Sequence, residues 1–240
     1  MRSAIILFYT LLFCSGVYAQ KEFVVDPNAE MRQLSGSFNA IVVSDGIDVY
    51  LSQSDNEVLA ISASEEKFKE GIKSIIENNV LKIYYDGNKH WNNRNRKMKA
   101  YISFRNIERL EASGASDIKV AGEIRTTNFV VKLSGASDFN GMLAVTSLTL
   151  DLSGASDVKI SGTASTVTIE SSGASDVKGF ELSTDVCTAK ASGASDINIT
   201  VNKELNANAS GASNIFYKGE AVIKELKSSG ASSVSKKNRS

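Results

Sequence analysis

The tetrapeptide Ser-Gly-Ala-Ser occurs seven times in this chain, beginning at Ser113, Ser134, Ser153, Ser172, Ser192, Ser210 and Ser229. The successive spacings are 21, 19, 19, 20, 18 and 19 residues, a regularity that chance does not produce. A fixed period of this length marks a repeat architecture, in which each unit buries its apolar side only by stacking on the next. Two positions beyond the last Ser of each copy stands an apolar residue: Ile118, Phe139, Val158, Val177, Ile197, Ile215 and Val234.

Between copies, apolar residues alternate with polar ones. Leu148, Leu150 and Leu152 share one side, Thr149 and Asp151 the other. Continued through the motif, the same parity puts Gly154 and Ser156 on the apolar side with Val158 and Ile160. Period two, with abundant Val, Ile and Thr, means strand and not helix. An antiparallel sandwich or barrel has no need of near-identical sequence at a fixed interval. A parallel β-helix does, because equivalent side chains of successive coils lie over one another. The expected fold is therefore all-β: a short right-handed parallel β-helix of about six to seven coils with a β-rich N-terminal cap region. At roughly 4.8 Å per coil, six intervals span about 29 Å.

In such a fold the motif has a structural reading. Gly supplies a turn or a close backbone approach, and Ala stacks in a tight corner. The second Ser of the copies (Ser116, Ser137, Ser156, Ser175, Ser195 and Ser213) forms a hydroxyl ladder near the edge of the core. These hydroxyls must bond to one another or to turn carbonyls, since an unpaired buried one costs roughly 1–3 kcal/mol. Next in each copy come Asp117, Asp138, Asp157, Asp176 and Asp196, then Asn214 and Ser233. Carboxylates stacked about 4.8 Å apart repel. The row must face solvent, accept turn N–H groups or hold cations. Turn capping is the simplest of these; a calcium site asks for about six to eight oxygens and for Gly-rich loops of another pattern.

Residues 20–37 read as a lead, 38–110 as a non-repeated β-rich start and cap, 111–234 as the coils and 235–240 as a polar tail, with 38–234 one continuous domain. Strands are expected around 38–51, 58–63, 80–85 and 98–104, with Asp45-Gly46 and Asp86-Gly87 as turn signals. Glu65, Glu66, Lys67, Lys69 and Glu70 around Phe68 and Ile72 suggest one short helix over 64–77, weakened by Gly71. A cap closes the strand edge that the end of a coil stack would otherwise expose. The charges of the tail discourage pairing at the other end.

The segment 89–97 is polar and basic and holds the single Trp and single His of the chain. A solvated loop is its plain role. Its recognition role would use Trp91 to stack on a sugar or a partner, with Asn92, Arg94 and Arg96 supplying hydrogen bonds. A lone His is a weak metal signal, and no catalytic, cofactor-binding or metal set is visible.

The first residues divide into a basic head (Arg2), the apolar run 4–13, and Val17-Tyr18-Ala19 before Gln20. This is a secretory signal peptide over 1–19, too short for a stable membrane span of roughly 20 residues. Phe13 before Cys14 is too bulky for a lipid-modified N-terminus. The chain carries 27 Lys and Arg against 27 Asp and Glu; cleavage removes Arg2 and leaves 26 against 27. So neutral a protein has no broad field with which to hold nucleic acid. The remaining thiol, Cys187, alternates in a strand-like pattern and reads as buried and inert.

Taken together, 38–51, 80–85 and the repeated SGASD units resemble a bacterial family called the putative auto-transporter adhesin head domain, or head GIN domain. The resemblance covers residues 38–218. It implies an exported protein of Bacteroidota with a β-helical fold and no established catalytic residues. The function expected is a non-enzymatic cell-envelope binding or adhesion module, with a glycan or cell-surface protein as partner, no cofactor, and no membrane span after cleavage. Periplasm, outer-membrane association and the extracellular space remain open. A structural protein assembling as a homo-oligomer through its coil ends is one alternative. A polysaccharide-active enzyme is the other, although acids such as Asp157 and Asp176 repeat evenly without a distinct pair.

Overall fold

The computed structural model describes residues 25–87 and 96–238. The expected export segment and the loop residues Trp91, Asn92 and Arg94 lie outside the described residues. In the first half the strands are β1 (Glu30–Arg32), β2 (Ala40–Val43), β3 (Ile47–Gln53), β4 (Val58–Ser62), β5 (Ile72–Glu77), β6 (Val80–Tyr85), β7 (Met98–Phe104) and β8 (Arg109–Ala112). A short helix, α1 (Glu66–Gly71), separates β4 from β5. The second half runs β9 (Asp117–Leu133), β10 (Asp138–Leu152), β11 (Asp157–Ser171), β12 (Asp176–Ala191), β13 (Asp196–Gly211), β14 (Asn214–Lys218), β15 (Val222–Gly230) and β16 (Ser233–Lys236).

Each of β9 to β13 wraps round the core and pairs in parallel with the strands before and after it. Residues one repeat apart are neighbours: Phe139 lies beside Val158, Val158 beside Val177, Val177 beside Ile197, and Ile197 beside Ile215. The chain is a right-handed parallel β-helix whose seven SGAS corners stack along one edge. Its interior is a set of apolar ladders, such as Leu148–Val167–Cys187–Leu205 and Leu150–Ile169–Ala189–Ala207, all buried.

The corner explains the motif. Every SGAS glycine has a positive φ, between 76° and 82°, a region in which a side chain is strained. The following Ala N–H donates to the Gly carbonyl of the coil before: Ala155 to Gly135, and Ala174 to Gly154, both at 2.8 Å. Gly154 is exposed at this turn, not on the apolar side where uninterrupted parity would put it. The strand leaves the core after Leu152 and re-enters at Ser156, so Ser153, Gly154 and Ala155 form the bend.

The stacking also reaches into the first half, out of chain order. β2 pairs with both β6 and β8, and β3 with both β7 and β9, all in parallel. Residues 40–53 are thus a coil inserted between 80–104 and 109–121. The turn signal at Asp45-Gly46 is a corner of the same column and not a hairpin. Asp45 (φ 64°) and Gly46 (φ 73°) bend where Gly114 bends in the next coil.

Antiparallel strands end the stack on this side: β4 on β7, β5 on β6, and β1 on β4. The helix expected over 64–77 forms only at Glu66–Gly71, where it buries Phe68. Beyond Gly71 the apolar residues Ile72 and Ile76 face the core at strand spacing, and pairing with β6 overrides helix propensity. The lead is pinned across this cap by Asp26, which accepts hydrogen bonds from Ser62 Oγ (2.8 Å) and Lys99 Nζ (3.1 Å). At the far end β15 pairs with β13, and β16 with β14. β16 carries ordered strand through Lys236, into the segment expected to be a tail.

A Cβ added at Gly154 would lie 2.5 Å from the Gly135 carbonyl oxygen, on a backbone with φ +77°. Gly154→Ala should cost about 3 kcal/mol, combining left-handed strain with the clash. At this chain length that lowers the midpoint by roughly 6–12 °C. A melt indistinguishable from the parent would contradict the corner geometry.

Candidate functional site

The corner edge carries a shallow groove that runs along the helix axis. One wall is the half-buried first Ser of the motifs from Ser113 to Ser210. Ser153 Oγ donates to Leu133 O (3.4 Å) and Ser172 Oγ to Leu152 O (3.1 Å) in the coil before. Beside it runs an outward column in register from coil to coil: Glu111, Lys132, Asp151, Glu170, Lys190, Asn208 and Lys227. Two hollows follow this line. One, of about 270 Å³, is lined by Glu111, Ser113, Lys132, Ser134, Asp151 and Ser153; the next, of about 290 Å³, includes Glu170, Ser172, Lys190, Ser192, Asn208 and Ser210. Lys190 meets Glu170 at 2.8 Å and Lys132 meets Asp151 at 4.0 Å. These pairs are exposed and contribute little to stability, so their side chains are free to exchange one partner for another.

This column was available in the sequence, because the residue two before every SGAS is charged or Asn. Attention to the motif itself passed it over. The segment holding Trp91 lies in sequence between β6, which ends at Tyr85, and β7, which begins at Met98. Arg96, one of its two described members, is half-buried with its guanidinium 4.8 Å over the Tyr85 ring. The Arg96 carbonyl accepts the Ser64 N–H at 3.0 Å.

The second serines stand on the inner side of the edge. Ser116, Ser137, Ser156, Ser175, Ser195 and Ser213 are all fully buried. Most donate to the carbonyl three residues back: Ser116 to Ser113 (3.1 Å), Ser156 to Ser153 (3.0 Å), Ser195 to Ser192 and Ser213 to Ser210 (both 2.8 Å). Ser137 and Ser175 hydroxyls instead accept backbone N–H groups, from Ser116 and Ser156. This is a capping ladder and presents no free nucleophile.

The aspartate row lies on the next face and is longer than the motif indicates. Asp48 stands beside Asp117 at its head, followed by Asp138, Asp157, Asp176 and Asp196, then Asn214 and Ser233. Carboxylates at alternate levels cap the next coil: Asp138 Oδ1 accepts the Asp157 N–H at 3.3 Å, and Asp176 Oδ1 the Asp196 N–H at 3.2 Å. Lys178 Nζ donates to Asp157 Oδ2 at 2.9 Å. Burial, then the neighbouring Asp117 and Asp157 charges, push the Asp138 pKa up; burial and Asp117 do the same to Asp48. At the foot of the row an amide relieves the repulsion, with Asn214 Nδ2 donating to Asp196 Oδ1 at 2.9 Å. Among the described residues no group of three or more His, Cys, Asp or Glu is placed to hold a metal ion.

A larger hollow, about 850 Å³, opens at another corner between Gln53, Arg105, Glu123 and Arg125. Its polar groups serve one another. Gln53 Nε2 donates to the Arg105 and Arg125 carbonyls, Gln53 Oε1 accepts the Arg125 N–H, and Arg105 Nε donates to Asp55 O. It is a knitted coil junction.

A parallel β-helix with an open, polar axial groove and no assembled catalytic cluster among its described residues defines the class. Within it, this chain belongs to the family described as "Putative auto-transporter adhesin, head GIN domain", which matches residues 37–221. Among solved structures it is similar to a "putative adhesin" of Bacteroides fragilis NCTC 9343, with 24% identity and a TM-score of 0.78 over 88% of this chain and 98% of the other. A "putative lipid binding protein" of Parabacteroides distasonis ATCC 8503 is 18% identical with a TM-score of 0.64, covering 89% and 98%. A "putative adhesin" of Parabacteroides merdae ATCC 43184 is 17% identical with a TM-score of 0.60, again over 89% and 98%. No curated protein matches the chain.

Because the folded Asp138 pKa is raised, the native state binds its proton more readily than the unfolded chain, and its contribution to stability falls as pH rises through the folded value. Asp138→Asn should therefore stabilise at neutral pH, by no more than about 1 kcal/mol given solvent screening. The gain should vanish below the ordinary aspartate pKa near 3.8, where the parent carboxyl is itself protonated. Urea titrations at pH 7 and pH 3.5 test this, and a gain equal at both pH values would refute it. Burial alone pushes the Cys187 thiol up to about 12. A thiol reagent should leave it untouched in the native protein and label it fully in denaturant.

Proposed function

We propose that this protein is an exported, non-enzymatic binding module of the cell envelope that recognises a glycan along the axial groove. The observation that carries the reading is the groove, where a hydroxyl and a charged or amide side chain recur once per coil. A polymer with a regular succession of donors and acceptors fits such a surface, and a solenoid face is well suited to extended ligands. Trp91, with Asn92 and Arg94 near it in the sequence, would add a stacking surface and hydrogen-bonding groups. The family description and the names of two of its relatives point to adhesion. A lipid tail would ask for an apolar enclosed cavity, whereas the hollows here are open and polar.

Catalysis finds little support, since the carboxylates of the Asp row are occupied in capping the next coil, pairing with Lys178 or accepting from Asn214. Export follows from the leader-like residues 1–19. A second reading, self-assembly through the coil ends, is favoured by one observation, the exposed last coil.

A glycan array probed with residues 20–240 tests the ligand class. The proposal expects a polysaccharide hit whose affinity drops roughly tenfold or more in Lys132→Glu/Lys190→Glu and in Trp91→Ala, with unchanged melting curves. No glycan retained at about 1 mM protein, or binding indifferent to the groove substitutions, would overturn it.

A further inference from the structure

The two ends of the β-helix are finished differently. At the N-terminal end the outermost parallel strands are covered by β1, β4 and β5, and Phe68 and Ile72 are buried there. At the C-terminal end β15 is exposed at every one of its nine residues. It pairs with β13 on one side, and no described strand pairs with its other side. The ladders that are closed one coil earlier, at Leu205 and Ala207, end in Ile223 and Leu226, which are 38% and 49% exposed. These two side chains continue the inward ladders and meet solvent because no described strand covers them.

We infer that β15 pairs antiparallel with β15 of a second copy of this chain, closing a two-fold dimer through the C-terminal coils. This rests on the self-assembly reading above, and is independent of which ligand the groove takes. The sequence of β15 is self-complementary in one register. With the two-fold axis between Lys224 and Glu225, Lys224 faces the other copy's Glu225, and Ile223 faces its Leu226. The side-chain directions agree as well. Lys224 is the extra residue of a bulge against Leu205 and Asn206, so Ile223 and Leu226 both point inward while Lys224 and Glu225 both point outward. Residues directly opposite in an antiparallel pair must share a face. A one-residue shift either way sets Lys224 or Glu225 against its own copy and inward residues against outward ones.

The asymmetry of the ends sets the stoichiometry. Head-to-tail stacking would set the exposed Ile223 and Leu226 against an end whose apolar side chains, Phe68 and Ile72, are already covered, and would grow without limit, whereas joining like ends closes at two. Pairing would satisfy the free edge of β15 and cover Ile223 and Leu226, the two hazards of a bare coil end. Lys224, a charge that guards against indiscriminate pairing, becomes a partner in this register.

Sedimentation velocity on residues 20–240 over a concentration series tests the inference. The expected result is a monomer–dimer equilibrium. Lys224→Glu alone and Glu225→Lys alone should each weaken dimerisation roughly tenfold or more, because each puts like charges face to face. The double variant Lys224→Glu/Glu225→Lys should restore the dimer. Circular dichroism melts establish that each variant is folded. A monomer at every concentration would overturn this inference together with the self-assembly reading. A dimer indifferent to the single reversals, or growth beyond two, would overturn the register and closure proposed here while leaving self-assembly in place.

Discussion

Everything in this molecule depends on how closely one corner can approach the next. In the five SGAS turns from Ala136 to Ala212 the Ala N–H reaches the Gly carbonyl of the coil before it at 2.7–2.8 Å. At that approach a Cβ on the upper glycine would stand within about 2.4–2.8 Å of the lower glycine's oxygen. Glycine is required twice over, for the left-handed bend and for the contact. Once corners stack, the strands that leave them are held in register, because a slip of one residue would turn the apolar ladders outward. Near-identity of sequence at the corner and tolerance elsewhere follow from that one contact.

The same stacking dictates the chemistry of the surface. In a parallel β-helix each outward position becomes a column, so a choice repeated in sequence becomes a row in space. Three rows result, and each solves a different problem. The inner serines satisfy turn carbonyls where the backbone turns away from its ladder. The aspartates cap the next coil, at the cost of mutual repulsion that Lys178 and Asn214 partly relieve. The third row mixes acids, bases and one amide beside the outer serines, and its exposed ion pairs contribute little to stability, which is why recognition is proposed there. A dimer through the last coils would place two such grooves on one particle, and linked sites gain avidity without any new contact.

Much of this was legible from residues alone, for a physical reason. The repeat interval and the period-two alternation specify parallel stacked strands, and the burial of Ser116, Ser137, Ser156, Ser175, Ser195 and Ser213 follows the parity read from Leu148, Leu150 and Leu152. Parity failed at Gly154, since a bend removes three residues from the strand without changing the odd–even count. It also failed to recognise Ser44-Asp45-Gly46-Ile47-Asp48, a corner that shares only its first and fifth residues with SGASD. There a different route to positive φ, Asp45 followed by Gly46, does the work of Gly-Ala.

The sequence by itself determined the unit of structure, its strand character, the side each residue takes and the need for a capped end. Those properties are local: alternation, turn chemistry and a fixed interval act within one or two coils. Only the tertiary structure decided that 40–53 lies between 80–104 and 109–121, that β1, β4 and β5 close one end while β15 leaves the other bare, and that the column two residues before each motif borders a groove. Those outcomes depend on pairings between strands distant in the chain, and no single segment carries the information that selects its neighbour.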